Sequence, residues 1–463
     1  MSKKIKLFDP FVDINEEKAI TKVLRNHFWA NGSGKGNVLK FEQLFKKYIN
    51  SKDCIAVNSG TAALHLALSL FDIKNKEVIL PSLSFVSTAH AIIYNGGIPI
   101  FVDVEPKTLC IDPEKIEKAI TKKTRMILPV HYAGIPCDLD KLNKIKKKFN
   151  LKIVEDAAHA SGSVYNNKKI GSHGDAVCFS FHPVKNLAMP SGGLIAINGK
   201  NIKKSKKILE SKRWVGISNR VGSKYNVSNI GWNYYMNEFS AVIGIEQLKK
   251  LESANLKRKY IAKRYSEELK MERKIPLRKD CSYHIFWIAV NNQKEFMKKM
   301  QENNIETGIH YLPIHKMKFY NSKVKLKITE NITKKLVSLP IHPNLKNTEI
   351  DKIIKLTNRF SKIFGKNSID KISFKNSFEK TELVFKEEVK GKLTGYHIQD
   401  EPTIGFMPGQ DEENQYLSDV EDDEHRNTPN INESLDAEYT NDNQVYETGS
   451  IPLNQDIPVD DIQ

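Results

Sequence analysis

The sequence predicts an α/β fold with a mostly parallel sheet and helices on both of its faces. Short apolar segments alternate with segments of helical periodicity from residue 54 to residue 197. Strands and helices that alternate in this way form crossover units, and crossover units build parallel sheets. A further sign of helices between the strands is the pair Asp112 and Pro113, a capping residue followed by a proline suited to the first helical position.

The elements are predicted in order along the chain. The expected strands are residues 54–57, 78–80, 98–104, 126–130, 151–154, 176–181 and 194–197, and the expected helices are residues 62–71, 86–94, 113–120 and 139–149. Apolar spacing from residue 237 to about residue 270 suits one long helix or a bent pair. The segments that follow predict a smaller α+β domain, with strands at residues 283–290 and 336–341 and helices at residues 294–303 and 349–364.

These patterns divide the 463 residues into a large domain, a smaller domain and two C-terminal segments. The large domain is predicted at residues 1–245 and the smaller one at residues 246–370. Residues 371–399 contain apolar alternation that suits a short hairpin, which is too little for a stable domain. Residues 400–463 are acidic and poor in core-forming side chains, so we expect a disordered tail.

The formal net charge of +17 raises nucleic-acid binding as a function of another class. The tail carries 18 acidic residues against the single Arg426, which leaves +34 on residues 1–399. However, the lysines are spread over predicted helix faces, without a zinc-finger pattern or an aromatic-glycine RNA-binding motif. This distribution favours solvated surface charge over nucleic-acid binding.

Composition also bears on the compartment and on metals. No apolar stretch approaches the roughly 20 residues needed to cross a bilayer, and the first residues are too charged for a secretory signal. The five cysteines are scattered, with no pair at metal-ligand spacing. We therefore expect a cytoplasmic protein with reduced, buried thiols, no disulfide framework and no metal site.

Lys185 is the most informative single residue. It lies in a polar turn after the predicted strand at residues 176–181, and Gly192 and Gly193 lead into the next strand. This places its amine at a strand end, where ligands collect in α/β proteins. Most lysines of this chain are surface charge, so the position alone does not establish a reactive amine.

Two upstream motifs favour a reactive amine at Lys185 over a surface charge. The strand at residues 151–154 ends in Glu155 and Asp156, followed by two alanines and His159. A buried carboxylate can keep the ring nitrogen of a pyridine cofactor protonated, and small neighbours let a flat ring lie close. Ser59, Gly60 and Thr61 open a helical segment, and free N–H groups and hydroxyls at a helix start bind phosphate. Taken singly, Ser59 or Thr61 could be only a helix cap and Asp156 only a solvated acid.

Together these motifs resemble the sugar-nucleotide aminotransferases of the DegT/DnrJ family. Six segments in the same order carry the resemblance: SGTAALHLAL (59–68), PSLSFVSTAHAI (81–92), PVHYAGIPCDLD (129–140), EDAAHASGS (155–163), FSFHPVKN with its glycine pair (179–193) and GWNYYMNEFSAVIG (231–244). The resemblance covers about residues 5–365. It implies a fold-type-I enzyme that uses pyridoxal 5′-phosphate.

The resemblance also implies roles for residues around the cofactor ring. Lys185 would bind the cofactor covalently and then move the proton between substrate and cofactor. An ordinary lysine, with a pKa around 10.4, is too protonated for this role, so we expect burial and nearby positive charge to lower its pKa. Asp156 would pair with the ring nitrogen, His159 would lie near the ring hydroxyl, and Phe85 would stack on the ring face.

Further residues match family positions around the phosphate. Ser59, Gly60, Thr61 and Ser180 would hold the cofactor phosphate. Asn233 matches a position that family members send into the phosphate site of a neighbouring subunit. The resemblance therefore implies a homodimer with shared active sites and an inactive monomer.

Three residues match family regions that approach the substrate. Trp29 begins a glycine-rich stretch that corresponds to a substrate-covering segment, although such a run can be only a flexible connection. His310 and His315 match a region near the sugar, although either can be a structural histidine. Where many relatives have an arginine after the asparagine of the sixth motif, this chain has Tyr234, Tyr235 and Met236, so the contact with the donor carboxylate must come from another residue.

The implied reaction has two halves. L-glutamate gives its nitrogen to the cofactor, and the cofactor then aminates a keto sugar linked to a nucleotide, expected to be a UDP- or dTDP-linked 4-keto-6-deoxyhexose. The product would be a nucleotide-linked amino sugar for glycan biosynthesis. Relatives with histidine in place of the lysine dehydrate or deoxygenate sugars, and Lys185 therefore argues for transamination. A sugar dehydratase and a non-catalytic cofactor-binding regulator remain the alternatives.

Overall fold

The computed structural model of the chain describes residues 3–364. The predicted hairpin at residues 371–399 and the predicted acidic tail at residues 400–463 lie outside this range. Within it, the helices are α1 (Ile14–Asn26), α2 (Asn37–Ile49), α3 (Gly60–Leu68), α4 (Ser87–Tyr94), α5 (Pro113–Ala119), α6 (Leu139–Phe149), α7 (Ile202–Arg213), α8 (Glu238–Glu268), α9 (Gln293–Glu302), α10 (Lys327–Thr333) and α11 (Asn347–Phe364).

The strands alternate with these helices over the first half of the chain, as predicted. They are β1 (Asp53–Val57), β2 (Glu77–Pro81), β3 (Ile98–Val102), β4 (Thr124–Ile127), β5 (Lys152–Asp156), β6 (Val164–Tyr165), β7 (Lys168–Lys169), β8 (Ala176–Ser180), β9 (Gly193–Ile197), β10 (Ile217–Val221), β11 (Lys224–Val227), β12 (Phe286–Ala289) and β13 (Leu336–Leu339).

Seven strands form the central sheet in the order β1-β9-β8-β5-β4-β2-β3. The pairs from β8 to β3 are all parallel, whereas β9 runs antiparallel to both β1 and β8. The prediction of a mostly parallel sheet is confirmed. Because β9 reverses between two neighbours, β1 runs in the same direction as β8.

Buried side chains cover both faces of this sheet. All five residues of β8 are buried, which explains why its sequence is a continuous apolar run. Successive residues point to opposite faces, so Val177 and Phe179 join one apolar cluster and Ala176 and Cys178 the other. Helix α3 lies on the second face, and seven of its nine residues are buried.

Two local predictions of helices are confirmed in detail. Helix α5 begins after Asp112, whose carboxylate accepts a hydrogen bond from the Glu114 N–H at 2.9 Å, with Pro113 in the first turn. The region after residue 237 is one 31-residue helix, α8, capped by Asn237. All five cysteines are buried free thiols. Among the described residues, none of the helices combines the length and apolar character that crossing a membrane requires.

The C-terminal part of the described chain pairs β12 with β13 in an antiparallel ribbon, with α9 and α11 in contact beside it. The predicted division between residues 245 and 246 falls inside α8. The domain boundaries stay a prediction.

Candidate active site

The predicted site residues follow strands whose carboxyl ends meet at one edge of the central sheet. β5 ends at Asp156 and β8 ends at Ser180, and these strands are parallel neighbours. β1 runs in the same direction, and Gly193 of β9 pairs with both Val57 and Ser180. This register brings the start of α3, which follows β1, next to the end of β8.

Lys185 lies in the turn between β8 and β9. The turn is held by backbone hydrogen bonds from the Lys185 N–H to the His182 carbonyl at 2.8 Å and from the Met189 N–H to the Phe181 carbonyl at 2.7 Å. Burial lowers the pKa of the Lys185 amine from 10.5 to about 8, and the negative charge of Asp156 opposes this shift. We also expected nearby positive charge to lower the pKa of Lys185. That expectation is wrong, because burial is the one cause that lowers this pKa.

Asp156 is buried and held by two hydrogen bonds. Its carboxylate accepts a bond from the Thr88 hydroxyl at 2.8 Å and from the Ala158 N–H at 3.1 Å. The Ser84 hydroxyl lies 2.7 Å from the Thr88 hydroxyl and can donate to it. Burial raises the pKa of Asp156, and the two hydrogen bonds and the charge of Lys185 oppose this change. Thr88 was not among the predicted site residues, although it lies inside the second of the six motifs.

The start of α3 provides a cradle for an anion. The Ser59 hydroxyl caps the helix by accepting a bond from the Ala62 N–H at 3.1 Å. A Cβ added to Gly60 would lie 2.7 Å from the Ser180 Cβ, so only glycine permits this approach. The N–H groups of Gly60 and Thr61 make no hydrogen bond within residues 3–364. The predicted residues Ser59, Gly60, Thr61 and Ser180 are therefore together at one helix N-terminus.

His159 is fixed in one tautomer by its partners. Its Nδ1 accepts a hydrogen bond from the Ala133 N–H at 3.3 Å, so its Nε2 carries the proton and donates to the Tyr311 hydroxyl at 2.9 Å. Burial and the charge of Lys185 hold the pKa of His159 well below its usual range. Tyr311 also lies 5.8 Å from the ring of Phe85, which is 55% exposed and free to cover a flat ligand.

Two more histidines surround this position. Nδ1 of His310 lies 2.9 Å from the Ser338 hydroxyl, and burial lowers the pKa of His310 to about 4. His284 is buried, and its ring lies 4.5 Å from that of His159. Burial and the charge of Lys185 also hold the pKa of His284 well below its usual range. These imidazoles are consequently neutral at pH 7, and His284 was not among the predicted residues.

The structure does not bring all predicted residues into this group. His315 is fully buried, with Nδ1 2.6 Å from the Ser82 hydroxyl and Nε2 3.2 Å from the Glu330 carboxylate. These two partners favour the structural alternative for His315. The described contacts of the Trp29 ring are with Phe239, at 5.9 Å, and with the Leu24 carbonyl.

Asn233 lies on the surface and its side chain is exposed. Its backbone carbonyl accepts a hydrogen bond from the Asn58 side chain at 3.2 Å, and Asn58 immediately precedes the phosphate cradle. Asn233 is therefore near the cradle through its backbone, while its side chain is available to another molecule.

The arrangement fits pyridoxal 5′-phosphate. A buried carboxylate is present for a ring nitrogen, a helix N-terminus with a glycine cradle for a phosphate, and an amine of lowered pKa for an aldehyde. Among the described residues, no three His, Cys, Asp or Glu side chains are grouped so that they could hold a metal ion.

Comparisons with known proteins agree with this geometry. Residues 11–357 match the DegT/DnrJ/EryC1/StrS aminotransferase family. An uncharacterized protein of Methanocaldococcus jannaschii is 35% identical over 382 residues, which cover 78% of this chain and 97% of that protein.

Solved structures show the same fold. Helicobacter pylori PseC, an aminotransferase involved in the biosynthesis of pseudoaminic acid, has a TM-score of 0.74 and 27% identity and covers 78% of this chain and all of its own. S. venezuelae DesV has a TM-score of 0.71 and 27% identity, with 80% of this chain and all of DesV covered. Bacillus subtilis NtdA with bound PMP has a TM-score of 0.69 and 30% identity, with 75% and 82% covered. The chain belongs to the DegT/DnrJ/EryC1/StrS aminotransferase family, and it is an aminotransferase whose cofactor is pyridoxal 5′-phosphate.

Proposed function

We propose that this enzyme transfers the amino group of L-glutamate to a keto sugar linked to a nucleotide. The preferred acceptor is a UDP- or dTDP-linked 4-keto-6-deoxyhexose, and the product is a nucleotide-linked amino sugar for glycan biosynthesis. The observation that carries the proposal is the amine of Lys185, with its pKa of about 8, beside a buried carboxylate and a glycine-lined anion cradle. The involvement of the PseC relative in pseudoaminic acid biosynthesis supports a sugar acceptor.

Each of the site residues has a different role in the proposed reaction. Pyridoxal phosphate, when bound, supplies an electron sink for charge that develops at the reacting carbon. Asp156 provides the negative charge that pairs with a protonated ring nitrogen, and Thr88 fixes its orientation. In its neutral form, Lys185 would accept the proton from the amino-bearing carbon of the donor at Nζ and release it within the same half-reaction. In the opposite half-reaction it would deliver a proton to the sugar carbon that gains the amine. Because its pKa is about 8, Lys185 can both hold and release that proton near neutral pH.

A product assay tests the proposal. The loaded enzyme is incubated with L-glutamate and a panel of UDP- and dTDP-linked 4-keto sugars, and mass spectrometry identifies products while 2-oxoglutarate release is measured. We expect one acceptor to gain an amino group with an equal amount of 2-oxoglutarate. A dehydrated product would support the dehydratase, and cofactor binding without any product would support the regulator.

A lysine variant assigns the chemistry to the site. Lys185→Ala is expected to abolish turnover and the visible absorbance of the lysine-bound cofactor, with unchanged circular dichroism. Lys204→Ala, which removes an exposed lysine of α7, is the matched control and should leave both properties unchanged. An unaltered spectrum for Lys185→Ala would contradict the assignment.

We further propose a homodimer in which Asn233 completes the site of the other subunit. The exposure of Ile230, three residues before Asn233, supports this, because its side chain is 85% exposed, and Val221 of β10 is 79% exposed. Exposed large apolar side chains are typical of a surface that contacts another protein. Reduced, buried thiols also support a cytoplasmic location, since disulfides form in oxidising compartments.

Mixing two inactive variants tests the shared site. Lys185→Ala and Asn233→Ala are purified separately, unfolded, mixed in equal amounts and refolded together. If Asn233 acts on the neighbouring site, mixed dimers regain one intact site each, so about a quarter of all sites are active in a random mixture. If Asn233 acts on its own site, mixing restores no activity.

A further inference from the structure

A small pocket beside Lys185 contains a buried arginine that the proposed chemistry does not use. Arg258 of α8 is only 6% exposed. It lines this pocket together with Lys185, His284, Asp9 and His342. The cavity is small, with a volume of about 10 Å³. A volume of this size admits about one water-sized atom, so the pocket suits the end of a single polar group and not a nucleotide.

Arg258 has no carboxylate partner within residues 3–364. Its one hydrogen bond there is a long one, 3.5 Å from Nη1 to the Asn255 side-chain oxygen. Burial lowers the pKa of Arg258 to about 9, which leaves the guanidinium positively charged at pH 7. A buried charge without a partner is costly, and such side chains normally have a counter-ion.

The acidic side chain in the same pocket is already engaged. The two carboxylate oxygens of Asp9 accept hydrogen bonds from the Lys6 amine and the Asn344 amide, each at 2.8 Å. On the other side, Nε2 of His342 donates to the Lys6 carbonyl at 3.1 Å. Within the described residues, neither Asp9 nor His342 makes a hydrogen bond to Arg258.

His284 adds a second polar group to the pocket. It is 2% exposed, and its ring stacks on Phe8 at 5.3 Å. The charges of Lys185 and Arg258 both act on its ring and add to the effect of burial in lowering its pKa. A neutral imidazole can donate one N–H to an anion that Arg258 binds.

We propose that Arg258 and His284 form the subsite that binds a carboxylate of the amino donor. This inference rests on the proposed function, since it supplies the carboxylate partner that the tyrosines after Asn233 do not provide. Arginine matches the geometry of a carboxylate with two parallel hydrogen bonds. Lys185 also lines this pocket, so a carboxylate held there lies on the side of the site where the reactive lysine is.

The alternative role for Arg258 is purely structural. Asn255 also accepts a hydrogen bond from the Asn186 amide at 2.9 Å, and Asn186 follows Lys185 in the chain. Arg258 could therefore act only by fixing Asn255 and, through Asn186, the turn that carries Lys185. A test must separate anion binding from the positioning of the lysine.

Direct binding of glutarate, an unreactive dicarboxylate, is the main measurement. Calorimetric titration of the cofactor-loaded enzyme gives its affinity for wild type, Arg258→Met, Arg258→Lys and the control Arg264→Met. Arg264 lies on the same helix but pairs with Glu268 and Asp351. We expect Arg258→Met to weaken glutarate binding about 10- to 100-fold, the range for a lost charged hydrogen bond. Arg258→Lys should lose less, and Arg264→Met should match wild type.

The same variants are then mixed with L-glutamate, and the loss of visible cofactor absorbance is followed in a single half-reaction. The half-saturating glutamate concentration of Arg258→Met should rise by the same factor as for glutarate. The pH midpoint of the cofactor absorbance should stay unchanged. A shifted midpoint with unaltered glutarate affinity would establish the structural role and overturn the proposal.

These measurements also separate the subsite from the proposed function. If wild type binds glutarate through Arg258 but does not react with L-glutamate, the donor is wrong and the carboxylate subsite stands. If wild type and Arg258→Met bind glutarate equally, the subsite is refuted, whatever the donor proves to be.

Discussion

The amine of Lys185 should titrate near pH 8 in the cofactor-free protein. Burial places its pKa at about 8, against 10.5 for an ordinary lysine. At pH 7 about one Lys185 amine in ten is then neutral, compared with about one in three thousand for an ordinary lysine. The reactive form of Lys185 is therefore about 300-fold more abundant than that of a surface lysine.

Competitive labelling measures this difference directly. Cofactor-free enzyme is exposed to a trace of an amine-reactive reagent between pH 6 and pH 11, and mass spectrometry quantifies labelling of each lysine peptide. Lys204, an exposed lysine of α7, serves as the internal reference. A labelling midpoint for Lys185 within half a pH unit of that for Lys204 would refute the burial argument.

The variant Asp156→Asn tests the direction in which Asp156 shifts the pKa of Lys185. The charge of Asp156 raises the pKa of Lys185, in opposition to burial. Removing this charge leaves burial unopposed, so the labelling midpoint of Lys185 should fall below that of the wild type. A midpoint that moves upward would show that another group controls the amine.

Three other variants test the framework of the site. Thr88→Val removes the 2.8 Å hydrogen bond to Asp156, and cofactor affinity measured by fluorescence titration should fall about 10- to 100-fold. Gly60→Ala should weaken cofactor binding by a similar or larger factor in the same titration, because the new Cβ would lie 2.7 Å from the Ser180 Cβ. Glu42→Gln breaks a buried ion pair with Arg213, whose atoms lie 2.6 Å apart, and urea unfolding should show a loss of about 3–5 kcal/mol.

Much of the fold follows from local sequence patterns. Helix α6 has the predicted bounds, since Asp138 caps its start and a left-handed Asn150 ends it. The strand direction of β9 could not be predicted, because an apolar run has the same composition in parallel and antiparallel strands. The glycine-rich stretch after Trp29 was predicted to cover the substrate, with a flexible connection as the alternative. At Gly34 the packing itself requires glycine, because a Cβ there would collide with the buried Arg213 side chain.

The site residues could be predicted where a single local motif determines their position. Asp156 and Lys185 follow strand ends, and parallel strands bring their carboxyl ends to the same edge. Thr88 reaches Asp156 across 68 residues, and His159 reaches Tyr311 across 152 residues. Contacts over such separations depend on the tertiary packing, for which the local patterns contain no signal.

The histidines around Lys185 show why the electrostatics were harder to predict than the positions. We expected nearby positive charge to help deprotonate the lysine. Instead, burial and the charge of Lys185 keep His159, His284 and His310 neutral. A cluster of cationic side chains in one buried volume is costly, so protons leave the groups that hold them least tightly. Lys185 and Arg258 thus remain the strongest bases there, and an anion entering beside Lys185 meets the permanent charge of Arg258 and polar but uncharged imidazoles.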